Sequence, residues 1–377
     1  MLDTPVSREL SRRRLLAAMV AGYVGLPLVM AGGGAGLSGC RRSAGADEVV
    51  LYSSVDEPRL REVVELYTRE RAGRVLLVGD TEATKTTGLL QRLVAERDNP
   101  RCDVWWSNEA FSTIGLARQG LLEPLGIATS LRALGWPKEL IGADDQWIGF
   151  AQRARVIAYN TDRVSVAAAP TALADLLRPA LKDRIGIARP QFGTTRGHVA
   201  ALVAAHGAEA TEAYLGALKA NGVRQYDGNS LVVRAVAQGE IDVGLTDTDD
   251  VFAGQRNGWP VAYTLERFDA SPTGSGLPSI GPLVIPNTVA RVRNGPASRR
   301  APGRPGAERA DALVEFLLSD RVEFHLASSE ARNIPVRPGL DPGEHAVRIE
   351  RPMAVRLEDV EARIDEALAI VSRTLGA

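Results

Sequence analysis

Three carboxylates crowd into four residues at Asp247, Asp249 and Asp250, interleaved with the hydroxyls of Thr246 and Thr248. The run before them, Ile241-Asp242-Val243-Gly244-Leu245, is apolar enough to read as a buried strand, and a helical pattern begins near Asp249. In open α/β sheets, ligands bind just outside the carboxyl ends of strands. An Asx turn with an aspartate as helix N-cap accounts for one or two of these side chains. The surplus points to a ligand cleft, where carboxylates take up a cation or several N–H and O–H donors.

A second set has the opposite preference. Gly193-Thr194-Thr195 follows a strand pattern and opens a helix. Backbone N–H groups and the helix dipole at such a place favour an anion, although an ordinary threonine N-cap uses the same residues. Ser53-Ser54 offers hydroxyls from an earlier strand end. Lys85 and Arg153 are available partners for a phosphate, phosphonate or carboxylate. Lys85 lies about one helical turn beyond Thr81, so it can point back to the strand end. Asp80, Thr81, Asn108 and Glu109 close two further strand patterns, and Asp227 and Asn229 flank a turn at Gly228. Tyr159 and Tyr226 are single phenolate donors that serve equally well as packed rings. His198, one turn after Thr194, is either a ligand or a surface histidine, and the lone thiol of Cys102 reads as buried. Trp105, Trp106 and Phe192 are core residues or cleft walls. Together these groups describe a ligand bearing both charge signs, such as an aminophosphonate or sugar phosphate, or a cation carried with an anion.

The elements that must position these groups repeat one pattern. Val49-Val50-Leu51-Tyr52, Val75-Leu76-Leu77-Val78 and Asp103-Val104-Trp105-Trp106 are strand patterns, each followed by a polar turn and a helical spacing of apolar residues. Such alternation predicts an α/β fold, its sheets mixed but mostly parallel, with helices on the faces. From Trp147 to Asn160 a long apolar stretch carries the chain out of a first domain, and a second series of α/β units follows. Residues 291–306, rich in Arg, Pro and Gly, read as an exposed loop. Residues 307–318 and 357–371 read as amphipathic helices.

The chain's 377 residues allow two or three domains, and 45% hydrophobic with 24% charged residues is ordinary for a globular protein. A formal net charge of −1 argues against a nucleic-acid binder. Two cysteines, Cys40 and Cys102, imply no disulfide framework. The first 40 residues read as a targeting segment. Ser11-Arg12-Arg13-Arg14-Leu15-Leu16 resembles a twin-arginine export signal, and Leu37-Ser38-Gly39-Cys40 resembles a lipobox, in which Cys40 becomes the acylated first residue. A plain membrane anchor is the other reading of that apolar run. Either places the body at a membrane surface, periplasmic or on the cell surface, with residues 41–47 as a tether.

Several segments together resemble the extracellular solute-binding proteins of ABC importers, the ferric-iron-binding branch in particular. They are Leu51-Tyr52-Ser53-Ser54, Asp98-Asn99-Pro100, Asp103-Val104-Trp105-Trp106, Ile157-Ala158-Tyr159-Asn160-Thr161, Gly193-Thr194-Thr195, the run from Gly239 to Asp247, and Ile285-Pro286-Asn287-Thr288. The resemblance covers residues 48–340. It implies a type II-like periplasmic-binding-protein fold with two lobes joined by a two-strand hinge. On this reading 48–150 plus 280–377 form lobe 1, 151–264 form lobe 2, and 265–279 return the chain to lobe 1.

The resemblance further implies a monomer that captures a small ligand and delivers it to a membrane permease. Ferric iron, with or without a synergistic anion, is the cargo rather than a cofactor. The branch commonly presents adjacent tyrosines to Fe³⁺, a hard cation that favours anionic oxygen. No two tyrosines are adjacent here, and the corresponding strand ends in Thr246 and Asp247. Asp247, Asp250 and Glu109, with Asp80, remain as carboxylate metal ligands. A phosphorylated or phosphonate organic ligand stays open as the alternative cargo. An enzyme, such as a secreted hydrolase using Asp247 and Asp250, competes less well. There is no Gly-x-Ser-x-Gly motif, phosphate loop or dinucleotide fingerprint.

Overall fold

The computed structural model describes residues 48–71, 73–80, 87–265, 281–300, 305–341, 343 and 347–376. The export segment, the tether, Thr81 and Lys85 lie outside them.

The chain begins with β1 (Glu48–Ser53), α1 (Glu57–Arg71), β2 (Arg74–Gly79), α2 (Thr87–Ala95), β3 (Val104–Ser107) and α3 (Ala110–Arg118). It continues through β4 (Leu122–Glu123), α4 (Ala128–Ala133) and the long β5 (Ile148–Asn160). Next come β6 (Ile185–Ala188), α5 (Gly193–His206), α6 (Ala208–Ala220), β7 (Arg224–Tyr226), α7 (Asn229–Ala237), β8 (Val243–Asp247), α8 (Thr248–Arg256) and β9 (Val261–Thr264). It closes with β10 (Val284–Val292), α9 (Pro296–Arg300), α10 (Pro305–Leu317), α11 (Asp320–Ser328), α12 (Leu357–Glu361) and α13 (Ile364–Leu375). No helix among the described residues is long and apolar enough to cross a membrane.

The strands join in the order β2-β1-β3-β10-β5-β8-β6-β7, with β4 beside β10 and β9 beside β5. β1, β3, β6 and β8 are short, apolar and buried almost throughout, as expected of strands covered on both faces. The pairings β1–β2, β1–β3, β6–β7 and β6–β8 are parallel, whereas β5 and β10 run antiparallel to their neighbours.

β5 is where the two lobes meet. Its first part, through Ala154, pairs with β10, and from Arg155 onward it pairs with β8 and then β9. The register slips beside Pro286, which has no N–H to give, so Ala151 and Gln152 bulge opposite one residue of β10. Ala151 sits there at φ 41°, a conformation that needs outside support in a non-glycine residue. The support is the buried Glu323 of α11, which accepts the Ala151 N–H at 3.0 Å along with those of Val336 and Arg337. Burial pushes the Glu323 carboxyl up despite these bonds. Gln152 meanwhile exchanges both backbone hydrogen bonds with Ile334 at 2.7 Å.

Two sequence expectations need correction. Residues 280–377 do not all belong with lobe 1. The short α12 packs against α3 and also against α5, and α13 packs on α5 and α6 of the second lobe. The buried face of α13 carries Ala367, Ile370, Val371 and Leu375, and each larger side chain contributes roughly 1.5–3 kcal/mol by leaving water. Nor is 291–306 simply an exposed loop. Arg291 and Val292 still pair as part of β10, Arg291 is held by Glu123 and Asp311, and Pro296–Arg300 is helical. Residues 301–304 lie outside the description.

Candidate functional site

Between the lobes is a cleft lined by Asp56 and Asn108 from the first lobe and Arg153 from β5. The second lobe adds Arg189, Phe192, Gly193, Thr194, Thr195, Asp227, Gly228, Asn229, Ser230, Asp247, Asp249 and Asp250. The second-lobe residues fall at the starts of α5, α7 and α8. None of these helices has a side-chain cap bond at its N-cap, which is Phe192, Gly228 and Asp247 respectively. Three sets of first-turn N–H groups therefore border one space, each favouring negative charge. Gly193 begins α5 at φ 53°, a conformation glycine adopts without a Cβ penalty.

Asp247 is the hub. Its Oδ1 accepts from Arg155 Nη1 at 2.8 Å. Its Oδ2 accepts from the Thr194 hydroxyl at 2.7 Å, Asn229 Nδ2 at 3.0 Å and Arg153 Nε at 3.2 Å. Four donors match the roughly four lone-pair directions of a carboxylate. Burial alone would raise its pKa, but Arg155 and Arg153 outweigh that and hold the carboxyl below the usual aspartate range. Asp249 differs: burial pushes it up, only partly offset by Arg153, and its Oδ1 has no hydrogen-bond partner. Carboxylate oxygens of Asp247, Asp249 and Asp250 lie within 4.8 Å of one another, close enough to hold a metal ion. Arg153 lies among them, 3.8 Å from Asp249, while its Nη1 donates to the Asn108 carbonyl of the first lobe.

The cleft gathers Asn108, Arg153, Thr194, Thr195, Asp227, Asn229, Asp247 and Asp250 from the residues singled out in the sequence. Asp227 stands at the rim, exposed and paired with Arg189 at 2.6 Å. Others are turned to different work. Glu109, expected as a metal ligand, is fully buried and caps α3, accepting from the backbone of Phe111 at 2.6 Å and Ser112 at 3.1 Å. Ser53 and Ser54 are buried too. The Ser54 hydroxyl donates to the Asn108 side chain and accepts its backbone N–H, both at 3.0 Å, so it positions Asn108 rather than facing the cleft. Asp80 accepts from Leu89 N at the start of α2. Thr246 is buried and donates to the Asn229 carbonyl. Tyr159 is in the core, and Tyr226 donates to Glu240 with its phenol pushed up to about 12 by burial and by Glu240. No tyrosine lines the cleft among the described residues.

His198 is buried, not on the surface. Burial and the nearby Arg155 bring its pKa down to about 3, so it is neutral. Trp105 and Trp106 are core residues, Phe192 lies at the cleft half-exposed, and Cys102 is buried. Sequence reading missed Arg155, Arg189 and Asp56. For Arg155 a signal existed: Arg153 and Arg155 are two apart on a strand, and so share a face. A larger groove of about 970 Å³ beside Leu140, Leu283 and Met353 is mostly apolar, with Lys138, Glu139, Arg348, Arg356 and Glu358 also in its lining.

Residues 117–348 match the family model described as bacterial extracellular solute-binding protein. Iron uptake protein A1 of Synechocystis sp. is 28% identical over 343 residues, covering 85% of this chain and 86% of its own length. The Fe(3+)-binding periplasmic protein of Serratia marcescens is 31% identical over 207 residues, covering 54% of this chain and 58% of that protein. The structure of iron-bound HitA from Pseudomonas aeruginosa matches with a TM-score of 0.73 at 24% identity, over 88% of this chain and 99% of that one. This last likeness establishes the two-lobe fold.

Proposed function

This chain belongs to the bacterial extracellular solute-binding proteins, and on that footing we propose that it captures ferric iron between its lobes and hands it to an ABC permease. The observation that carries this reading is the carboxylate trio of Asp247, Asp249 and Asp250 at a cleft lined from both lobes. Carboxylate oxygen suits a hard trivalent cation, and the two similar proteins named for iron support the same cargo. Asp247, Asp249 and Asp250 together supply the carboxylate ligands. The mechanism is binding without bond chemistry. Cargo contacts made by both lobes favour the closed form, and that difference in affinity shifts the lobe equilibrium. Export through the twin-arginine-like leader, acylation at Cys40 and a monomeric body at the membrane surface complete the proposal.

The test is purification without chelator, followed by native mass spectrometry and titration with ferric nitrilotriacetate. One ferric ion per chain is expected, with thermal stabilisation that grows by mass action. A second reading, a phosphorylated or phosphonate organic cargo, is favoured by the three uncapped helix starts and by Arg153 in the same cleft. Stabilisation by a phosphate ester or 2-aminoethylphosphonate, with no iron uptake, would put that reading first.

A further inference from the structure

Residues directly opposite each other in an antiparallel pair share a face of the sheet. Phe150 of β5 stands opposite Asn287 of β10, and Arg153 stands opposite Ile285. Asn287 and Ile285 are two apart on β10 and so point the same way. Phe150 and Arg153 therefore lie on one face although they are three residues apart, an interval that in a regular strand sends side chains to opposite faces. The extra residue in the bulge at Ala151 and Gln152 makes the difference. It turns Arg153 to the cleft, and Arg155, two residues on, to Asp247. In a strand without the bulge, Ala154 and Val156 would take those places. A bulge leaves backbone groups without ladder partners, and here each finds another. The Ala151 carbonyl accepts from the buried side chains of Asn287 and Asn333. Gln152 pairs through both backbone groups with Ile334. The Ala151 N–H donates to Glu323, which is fully buried.

We propose that Glu323 is a positioning residue for cargo binding: by holding Ala151 at its positive φ it keeps the bulge, and the bulge aims Arg153 and Arg155 at the acidic cluster of the cleft. This role rests on the cleft being the cargo site, as proposed above, and is the same for either cargo. Glu323 itself is not part of the cleft lining. Three N–H groups converge on it, Ala151 from β5 and Val336 and Arg337 from the segment after α11. It thus fastens β5, just before the strand passes from one lobe to the other, to a neighbouring stretch of chain. Losing this acceptor strands a buried N–H on a residue already in a costly conformation, and the register without the bulge is the competing state. Glycine at position 151 removes the conformational cost. Positions 151 and 323 are therefore coupled, which a general contribution of Glu323 to core stability would not make them.

The experiment compares the full-length wild type with Glu323→Met, which keeps the side-chain length and removes both acceptor oxygens, and with the double variant that adds Ala151→Gly. All are measured at a temperature where near-ultraviolet circular dichroism shows them folded. Ferric affinity, read by competition against nitrilotriacetate, should fall about tenfold in Glu323→Met and return to within about threefold of the wild type in the double variant. Phenylglyoxal labelling mapped by peptide mass spectrometry reads the aim of the arginines without cargo. Arg153 and Arg155 should label slowly in the wild type, faster in Glu323→Met, and slowly again in the double variant. Arg291, held by Glu123 and Asp311, should not change. Wild-type affinity or unchanged labelling in Glu323→Met, or a loss that Ala151→Gly does not recover, overturns the role of Glu323. Should Glu323→Met alone fail to fold, the double variant decides: its folding with slow labelling supports the role, and its failure to fold overturns it. A wild type that binds no iron removes the ferric reading alone, and the labelling still decides the role of Glu323.

Discussion

Arg155 on β5 and Asp247 on β8 stand directly opposite each other in the antiparallel register, their charged ends 2.8 Å apart and both side chains almost wholly withdrawn from water. Breaking such a pair from one side strands the other charge, which costs about 3–5 kcal/mol. Asp247→Ala strands two arginines, so it should lower stability by at least that amount in urea denaturation. Asp247 therefore belongs to the scaffold beneath the cleft as much as to the cleft. Because its folded pKa is depressed, its contribution is present above the ordinary aspartate range and is lost as the pH falls through the depressed value.

Asp249 is predicted to behave oppositely. Its raised pKa means that ionisation is disfavoured in the folded chain. The resulting penalty is absent below the unfolded pKa, grows as the pH rises to the folded pKa, and is constant above it. Asp249→Asn should stabilise the cargo-free protein at neutral pH while weakening ferric binding. Paired thermal melts at neutral and acid pH measure this. No stabilisation at neutral pH would contradict the assignment.

His198 gives a second pH signature. Its folded pKa of about 3 lies below the ordinary histidine value, so between the two the unfolded chain binds the extra proton. Stability should therefore fall as the pH drops below about 6.5, by about 1.4 kcal/mol per unit once well under that value. His198→Gln should flatten that limb of the profile, read as the urea midpoint from pH 7 to 4.

Gly197 on α5 lies against the Phe111 ring of α3, where an added Cβ would overlap the ring. The contact joins the two lobes, alongside the Arg196–Ser112 hydrogen bond at 3.3 Å. Gly197→Ala should cost about 1–3 kcal/mol by overpacking and shift the lobes apart, seen as a larger radius of gyration in small-angle scattering. Adding Phe111→Ala should recover most of the compaction.

The strands could be read from sequence because four- to six-residue apolar runs ending in polar turns have few other interpretations. The acid cluster was equally visible, since three carboxylates in four residues exceed what capping requires. Glu109 misled because a buried cap and a metal ligand use the same side chain, and only the Phe111 and Ser112 N–H groups tell them apart. Arg155 was only half-legible: its alternation with Arg153 is visible, but its partner Asp247 is 92 residues away. The lobe of α13 was hidden for a related reason: amphipathic spacing announces an apolar face but not the surface it lands on.

That placement matters to anyone dissecting the protein. A fragment cut at residues 151–264 would leave α5 and α6 without Ala367, Ile370, Val371 and Leu375, exposing a greasy flank to solvent. Such a piece should clump when expressed alone, and grafting the last helix back through a short linker should keep it dispersed. The second lobe is thus assembled from two distant stretches of chain, so ribosomal synthesis must reach the far end before this half of the molecule is whole.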